Sequence, residues 1–137
     1  MAGPKVQDLQ GSVIYVDVGT GDARPLRVSD FGGGAPPPFQ SLTNATAAGP
    51  GTVWNPGGTF ATWAMQVAYS GTPTALVVAL DLSINGTDWS EAARWELGVN
   101  TSGDIISVYP IPATRARARV VTITGTGVSV SAWLAVV

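Results

Sequence analysis

The chain contains no cysteine and no histidine. Disulfide frameworks, thiolate or imidazole zinc sites, and every triad or general base built on an imidazole are thereby excluded. Charge is scarce as well: Lys, Arg, Asp and Glu make up 12% of the 137 residues, and the formal net charge is −2. Seven basic side chains set up no field able to hold a phosphate backbone, so nucleic acid is not expected as a partner. No uninterrupted apolar run approaches the ~18 residues of a membrane span. The start, MAGPKVQDLQGS, has no apolar signal core. Neither membrane insertion nor secretion by a cleaved signal is therefore expected. A weakly charged surface also does little to keep copies apart, which favours assembly over free solution life.

What the chain has in quantity is apolar residues (45%), glycine (17), proline (10) and tryptophan (5). Its length suits one main domain with a real core. Period-two alternation dominates the C-terminal hundred residues and helical periodicity is hard to find. In ALVVALDLSI, Leu76, Val78, Leu80, Leu82 and Ile84 share one face, with Asp81 and Ser83 on the other. GVSVSAWLAVV places Val128, Val130, Ala132, Leu134 and Val136 against Ser129, Ser131 and Trp133. Further strands are expected at 60–69, 89–97, 104–109 and 115–124, set apart by Gly-Thr-Pro, Gly-Val-Asn-Thr-Ser-Gly, Pro-Ile-Pro and Gly-Thr-Gly. The fold class expected is all-β, an antiparallel β-sandwich or jelly roll, because two amphipathic sheets bury their apolar faces against each other.

Residues 1–38 read differently, as an arm or hairpin ahead of a sandwich domain at 39–137. SVIYVDV and ARPLRVS flank Gly-Thr-Gly-Asp, and a Gly-Gly-Gly-Ala-Pro-Pro-Pro joint follows. A lone hairpin is unstable in water, so Ile14, Val16, Val18, Leu26 and Val28 need a partner surface, in their own domain or in a neighbouring subunit.

The stretch LDLSINGTDWSE is first a hairpin, since Asn85-Gly86 suits a type I′ turn with positive φ at both centres. Asp81, Asp88 and Glu91 allow a glycosidase-like carboxylate pair to be imagined. Their places on a polar strand face and a turn make them solvated charges instead. Three N-x-S/T matches, at Asn44, Asn85 and Asn100, read as turn chemistry. No calcium-loop spacing exists around Asp88, Asn100 or Asp104. Arg115, Arg117 and Arg119 share one strand face about 6.6 to 6.8 Å apart. That ladder requires anions, from cross-strand carboxylates such as Glu91 or Glu96, from a neighbouring subunit, or from a polyanionic ligand. Trp63 and Trp89 are expected to close the core and Trp133 to be a subunit contact. Trp54, in GTVWNPGG, is the candidate for stacking on a sugar.

From Ser83-Ile84-Asn85-Gly86-Thr87-Asp88-Trp89, through the arginine strand, to Thr124-Gly125-Thr126-Gly127-Val128-Ser129-Val130, the order of elements resembles small β-sandwich domains of tailed bacteriophage virions. Head decoration, minor capsid and tail proteins are among them, and the resemblance covers roughly residues 60–137. It departs at Asn85, where Asp is commoner, and in the alternating arginines. The resemblance implies a non-enzymatic structural protein without cofactor, most nearly a capsid decoration or minor capsid protein that stabilises the major capsid lattice. Its implied partners are the major capsid protein, other virion proteins and copies of itself, a trimer among the admissible arrangements. Its implied location is the virion, assembled in the host cytoplasm. The alternative is a carbohydrate-binding tail or adsorption module acting through Trp54, since S-x-D-G-x-x-W also occurs in discoidin-like jelly rolls.

Overall fold

A computed structural model describes residues 35–137. The segment before them, with the expected contacts Ile14, Val16, Val18, Leu26 and Val28, lies outside the described residues. Six strands follow in chain order: β1 (Phe39–Ala45), β2 (Gly49–Pro50), β3 (Trp63–Ser83), β4 (Ser90–Glu96), β5 (Ile105–Val108) and β6 (Arg115–Val136). There is no helix among the described residues, and every ladder is antiparallel. The all-β class expected from the alternation is what the chain adopts.

Two long strands organise everything else. β3 and β6 pair from Trp63↔Val136 to Ser83↔Arg115, and each of the other strands lines one of their free sides. The sequence reading divides both at Gly-Thr-Pro and Gly-Thr-Gly, where the structure continues the strands. Those glycines sit instead at irregularities in the ladder, between Ser70/Thr72 and Pro73/Ala75. Gly71 has φ +87°, and a Cβ there would lie 2.1 Å from the Gly127 carbonyl oxygen. Gly125, at φ +134°, faces the Thr72 carbonyl at 2.3 Å in the same way. Positive-φ glycine serves a bulge as readily as a turn, and here the backbones are too close for any side chain.

The irregular zone folds the sheet on itself. Ala116 pairs with Leu82, nineteen residues along β3 from Trp63, roughly 60 Å away if the strand were straight. Yet the ring of Trp54, whose backbone bonds both ways to Ala116, stands 6.3 Å from that of Trp63, edge to face. Thus one continuous sheet, not two separate ones, forms two facing layers. Layer A comprises β1, residues 63–70 of β3, β5, and residues 129–136 of β6; layer B comprises β2, residues 76–83, β4, and residues 115–123.

Both layers face one core. Met65, Val67, Val130, Leu134 and Val136 from A meet Leu76, Val78, Leu80, Leu82 and Trp95 from B. The expected inward faces of ALVVALDLSI and GVSVSAWLAVV are buried, apart from Ile84, which has left the strand and is exposed, and on the other face of ALVVALDLSI Ala79, Asp81 and Ser83 are buried as well. Alternation in RARAR turns Ala116 and Ala118 into this core, and small side chains there leave room for the Trp54 indole. Ser41, buried, ties the layers at one edge: its hydroxyl donates to the Thr52 carbonyl at 2.8 Å and accepts the Ala118 N–H at 2.9 Å.

Candidate functional site

The polar chemistry of the described residues concentrates on the outer face of layer B. Register places Glu91, Asp81 and Arg117 side by side on β4, β3 and β6, with Arg94, Ala79 and Arg119 in a parallel row. Arg119 grips Asp81 through two bonds, Nε to Oδ2 at 2.7 Å and Nη2 to Oδ1 at 3.1 Å. Arg117 adds a third, Nε to Oδ2 at 3.1 Å, and its guanidinium lies 4.4 Å above the Trp89 ring. Arg119 also reaches Glu91 at 3.2 Å, and Arg94 donates to the other oxygen of Glu91.

This network answers the arginine ladder from within the chain. Cross-strand carboxylates do so, as expected for Glu91, whereas Glu96 is not in the ion-pair cluster and stands opposite Val77. The principal anion is Asp81, which the alternation reads as solvated. It is only 2% exposed, because Arg117 and Arg119 lie across it and Trp89 covers Arg117. A buried carboxylate is tolerated when its lone pairs are filled by charged donors, as both oxygens are here. Arg117 and Arg119 therefore find in Asp81, within the chain, the anion their ladder requires. Arg115, half-buried, bonds the Thr114 carbonyl at 3.2 Å.

Titration follows from these partners. The Arg94 hydrogen bond, with Arg119 assisting and slight burial opposing, holds the Glu91 carboxyl below the usual carboxylate range. Asp81 above all, and then Glu91, holds Arg119 above the ordinary guanidinium value. Glu91 is thus kept as an anion bound to cations, a poor state for a general acid or base. Among the described residues no three His, Cys, Asp or Glu side chains come together as a metal site.

The opening loop of LDLSINGTDWSE is longer than a two-residue turn. Its connection runs from Ser83 to Ser90, and of Asn85 and Gly86 only the glycine has positive φ, +80°. The type I′ expectation is corrected for a local reason. The Asn85 Oδ1 accepts the N–H groups of Thr87 and Asp88, both at 2.8 Å, so the side chain closes the loop that a tighter turn would have closed by backbone alone. Asn85 Nδ2 donates to Asp88 at 2.9 Å. A shallow cavity of ≈ 300 Å³ beside this loop is lined by Leu82, Ile84, Asp88 and Ile111 among others, and offers a single carboxylate.

Trp54 is not a platform for a sugar. It is 6% exposed, stacks on Phe39 with ring centroids 5.8 Å apart and nearly coplanar, and belongs to the core. Trp63 and Trp95 are fully buried, while Trp89 covers Arg117. Trp133 lies half-buried on the outer face of layer A, whose character is opposite to that of B. Among the described residues the strands of layer A carry no charged side chain. Neighbouring rows there read Ser107, Ala64, Ala135 and Ile105, Gln66, Trp133, Gln40. A groove of ≈ 220 Å³ runs along them, with Pro38, Ile105 and Trp133 in its walls.

No protein-family model matches the chain, and no curated protein matches it. Among solved structures, the SPBc2 prophage-derived protein YomS is similar, with a TM-score of 0.54 at 13% identity. The match spans 74% of this chain and 92% of that one. At that identity the likeness is one of fold.

Proposed function

We propose that this protein is a non-enzymatic structural component of a tailed-phage virion, a capsid decoration or minor capsid protein that binds and stabilises the lattice of major capsid protein. The observation that carries the reading is the unequal distribution of charge on one folded sheet. Layer B gathers Asp81, Glu91, Arg94, Arg117 and Arg119 into one network of mutually paired charges. Layer A presents a face whose strands carry no charge, with a half-buried tryptophan beside a groove, suited to contact with protein. The fold shared with a prophage-derived protein agrees with a phage origin and with the resemblance of residues 60–137 to virion domains. The carbohydrate-binding alternative loses its residue with the burial of Trp54.

In this reading the chain acts as a homo-oligomer, assembles in the host cytoplasm and resides in the virion. The N-terminal segment, residues 1–38, supplies the second contact with neighbouring virion proteins. Produced together with the structural proteins of its phage, the full chain should co-sediment with particles. Trp133→Glu should lower its incorporation at least tenfold while leaving the folded circular dichroism spectrum intact. Hydrolase and transferase assays should give only background. Exclusion of the wild-type chain from particles, or its specific retention by a defined sugar on a glycan array, would overturn the reading.

A further inference from the structure

The folded sheet has four outer edges, and three carry features that discourage further strands. β4 bears Glu91, Arg94 and Glu96; β2 is two residues long and ends in Pro50, which has no N–H; β1 has two register shifts against β6 and a positive φ at Asn44. Charges, prolines and bulges are the usual protections of an edge. β5 has only its shortness. Ile105-Ile106-Ser107-Val108 contains no charge and no proline, and its four pairs with β3 run without a shift.

Its backbone is turned outward at defined positions. The Val67 N–H bonds the Asp104 carbonyl at 3.3 Å, and from there the antiparallel alternation directs Ile106 and Val108 toward β3. Ile105 and Ser107 consequently point their N–H and C=O groups away from β3, where, among the described residues, the strand order holds no further strand. Exposed apolar side chains gather at the same place. Of the seven large ones among the described residues, four lie between residues 99 and 111: Val99 at 78%, Ile105 at 64%, Tyr109 at 74% and Ile111 at 38%.

We infer that β5 is the edge through which two copies of this chain pair, β5 of one antiparallel to β5 of the other. A second copy is the occupant because a two-fold axis sets like against like, which only an uncharged and unshifted edge accepts without repulsion. β5 meets its own copy without any charged pair. The outward groups fix the register. Ile105 and Ser107 of one copy must meet outward groups of the other, so Ile105 stands opposite Ser107 and Ile106 opposite Ile106. Asp104 does not interfere, because its carboxylate is engaged by the Thr101 N–H at 2.8 Å and the Thr101 hydroxyl at 3.1 Å. The pairing is independent of the virion assignment, and the chain can pair in this way whether or not it joins a particle.

The absence of cysteine gives a clean test. Ile106 opposite Ile106 is a non-hydrogen-bonded pair, with Cα atoms about 4.5 Å apart, a separation a disulfide spans. The full-length Ile106→Cys variant, oxidised mildly at sub-millimolar concentration, should become mostly covalent dimer, while Thr43→Cys on the β1 edge should stay single. By sedimentation equilibrium the wild type should rise with concentration from the 14.0 kDa of one chain to twice that mass. Ser107→Pro, which removes an outward N–H without touching the bonds to β3, should move the midpoint at least tenfold higher. A wild type that keeps the single-chain mass, an association unmoved by Ser107→Pro, or equal cross-linking at positions 43 and 106 overturns the inference. If Ile106→Cys fails to fold, the Ser107→Pro measurement decides alone.

Discussion

Layers A and B share two strands and one core, so their inner faces obey the same rule of alternating apolar residues. Their outer faces do not. Layer B carries three guanidinium groups and two carboxylates joined to one another, with Trp89 as a cover for Arg117. Layer A carries alanine, serine, glutamine and a half-buried tryptophan. A face of the first kind satisfies most of itself, because five of its charges are paired with one another and its one buried carboxylate is filled. A face of the second kind leaves apolar surface facing water and gains from being covered. The contrast teaches that few charges need not mean an evenly neutral surface. Here, among the described residues, every charge that lies on a strand is on one half of the folded sheet, and the strands of the other half carry none.

The largest expected effect comes from the line that separates the layers. Gly71→Ala sets a Cβ against the Gly127 carbonyl and forces a non-glycine residue to φ +87°. Strain and overpacking together should cost about 4 kcal/mol, a large share of what a domain of this size possesses. Chemical denaturation should show the midpoint collapsing for both layers at once, followed by Trp95 in B and Trp63 in A. A variant that unfolds in one layer alone would mean that the fold line does not couple them.

That line also marks where the sequence ceased to be legible. Alternation identified the inward residues of both long strands, since period two is a local property. It could not join residues 60–69 to 75–84, because Gly-Thr-Pro has the composition of a turn and only the opposing Gly127 shows it to be a bulge. β1 was missed because FQSLTNA has few β-branched residues and its pairing with β6 shifts twice. At the site, the spacing of Arg115, Arg117 and Arg119 correctly demanded anions. Asp81 was misread as solvated, because its cover comes from Arg117, Arg119 and Trp89, on β6 and in the loop before β4. An isolated Asp inside VVALDLSI, set against a strand of alternating arginines, was the available signal. Trp54 was misjudged for the same reason, its loop being paired to Ala116 far along the chain.

Second in size is the removal of the anion that completes layer B. Asp81→Ala leaves Arg117 and Arg119 facing each other without their shared partner. Breaking a buried pair in this way should cost about 3 kcal/mol, measured as a shift in urea midpoint at unchanged slope. Replacing Trp133 by Ala on layer A, although it deletes a larger side chain, should cost less, since that side chain is only half-buried and holds no charge. Equal losses at the two positions would remove the distinction between a self-sufficient face and an open one.

The smallest effect separates the layers by pH. Glu91 has its carboxyl held below the usual range by Arg94 and Arg119, so the folded state binds its proton more weakly than the unfolded chain does. For a depressed carboxylate the stabilisation is fully present above the unfolded value, about 4.3, and is lost as pH falls through the folded one. The wild type should therefore lose stability below about pH 4 more steeply than Glu91→Gln, the two curves converging as acid protonates the carboxyl. Because Arg94 and Glu91 are both substantially solvent-exposed, the gap at neutral pH should be small and should narrow further with added salt. The strands of layer A contain nothing that titrates in this range, so Ser107→Pro and Trp133→Ala should leave the acid limb of the curve with its wild-type slope. A Glu91→Gln curve parallel to wild type through the whole acid range would show that the outer network of layer B contributes nothing to folding beyond its buried Asp81.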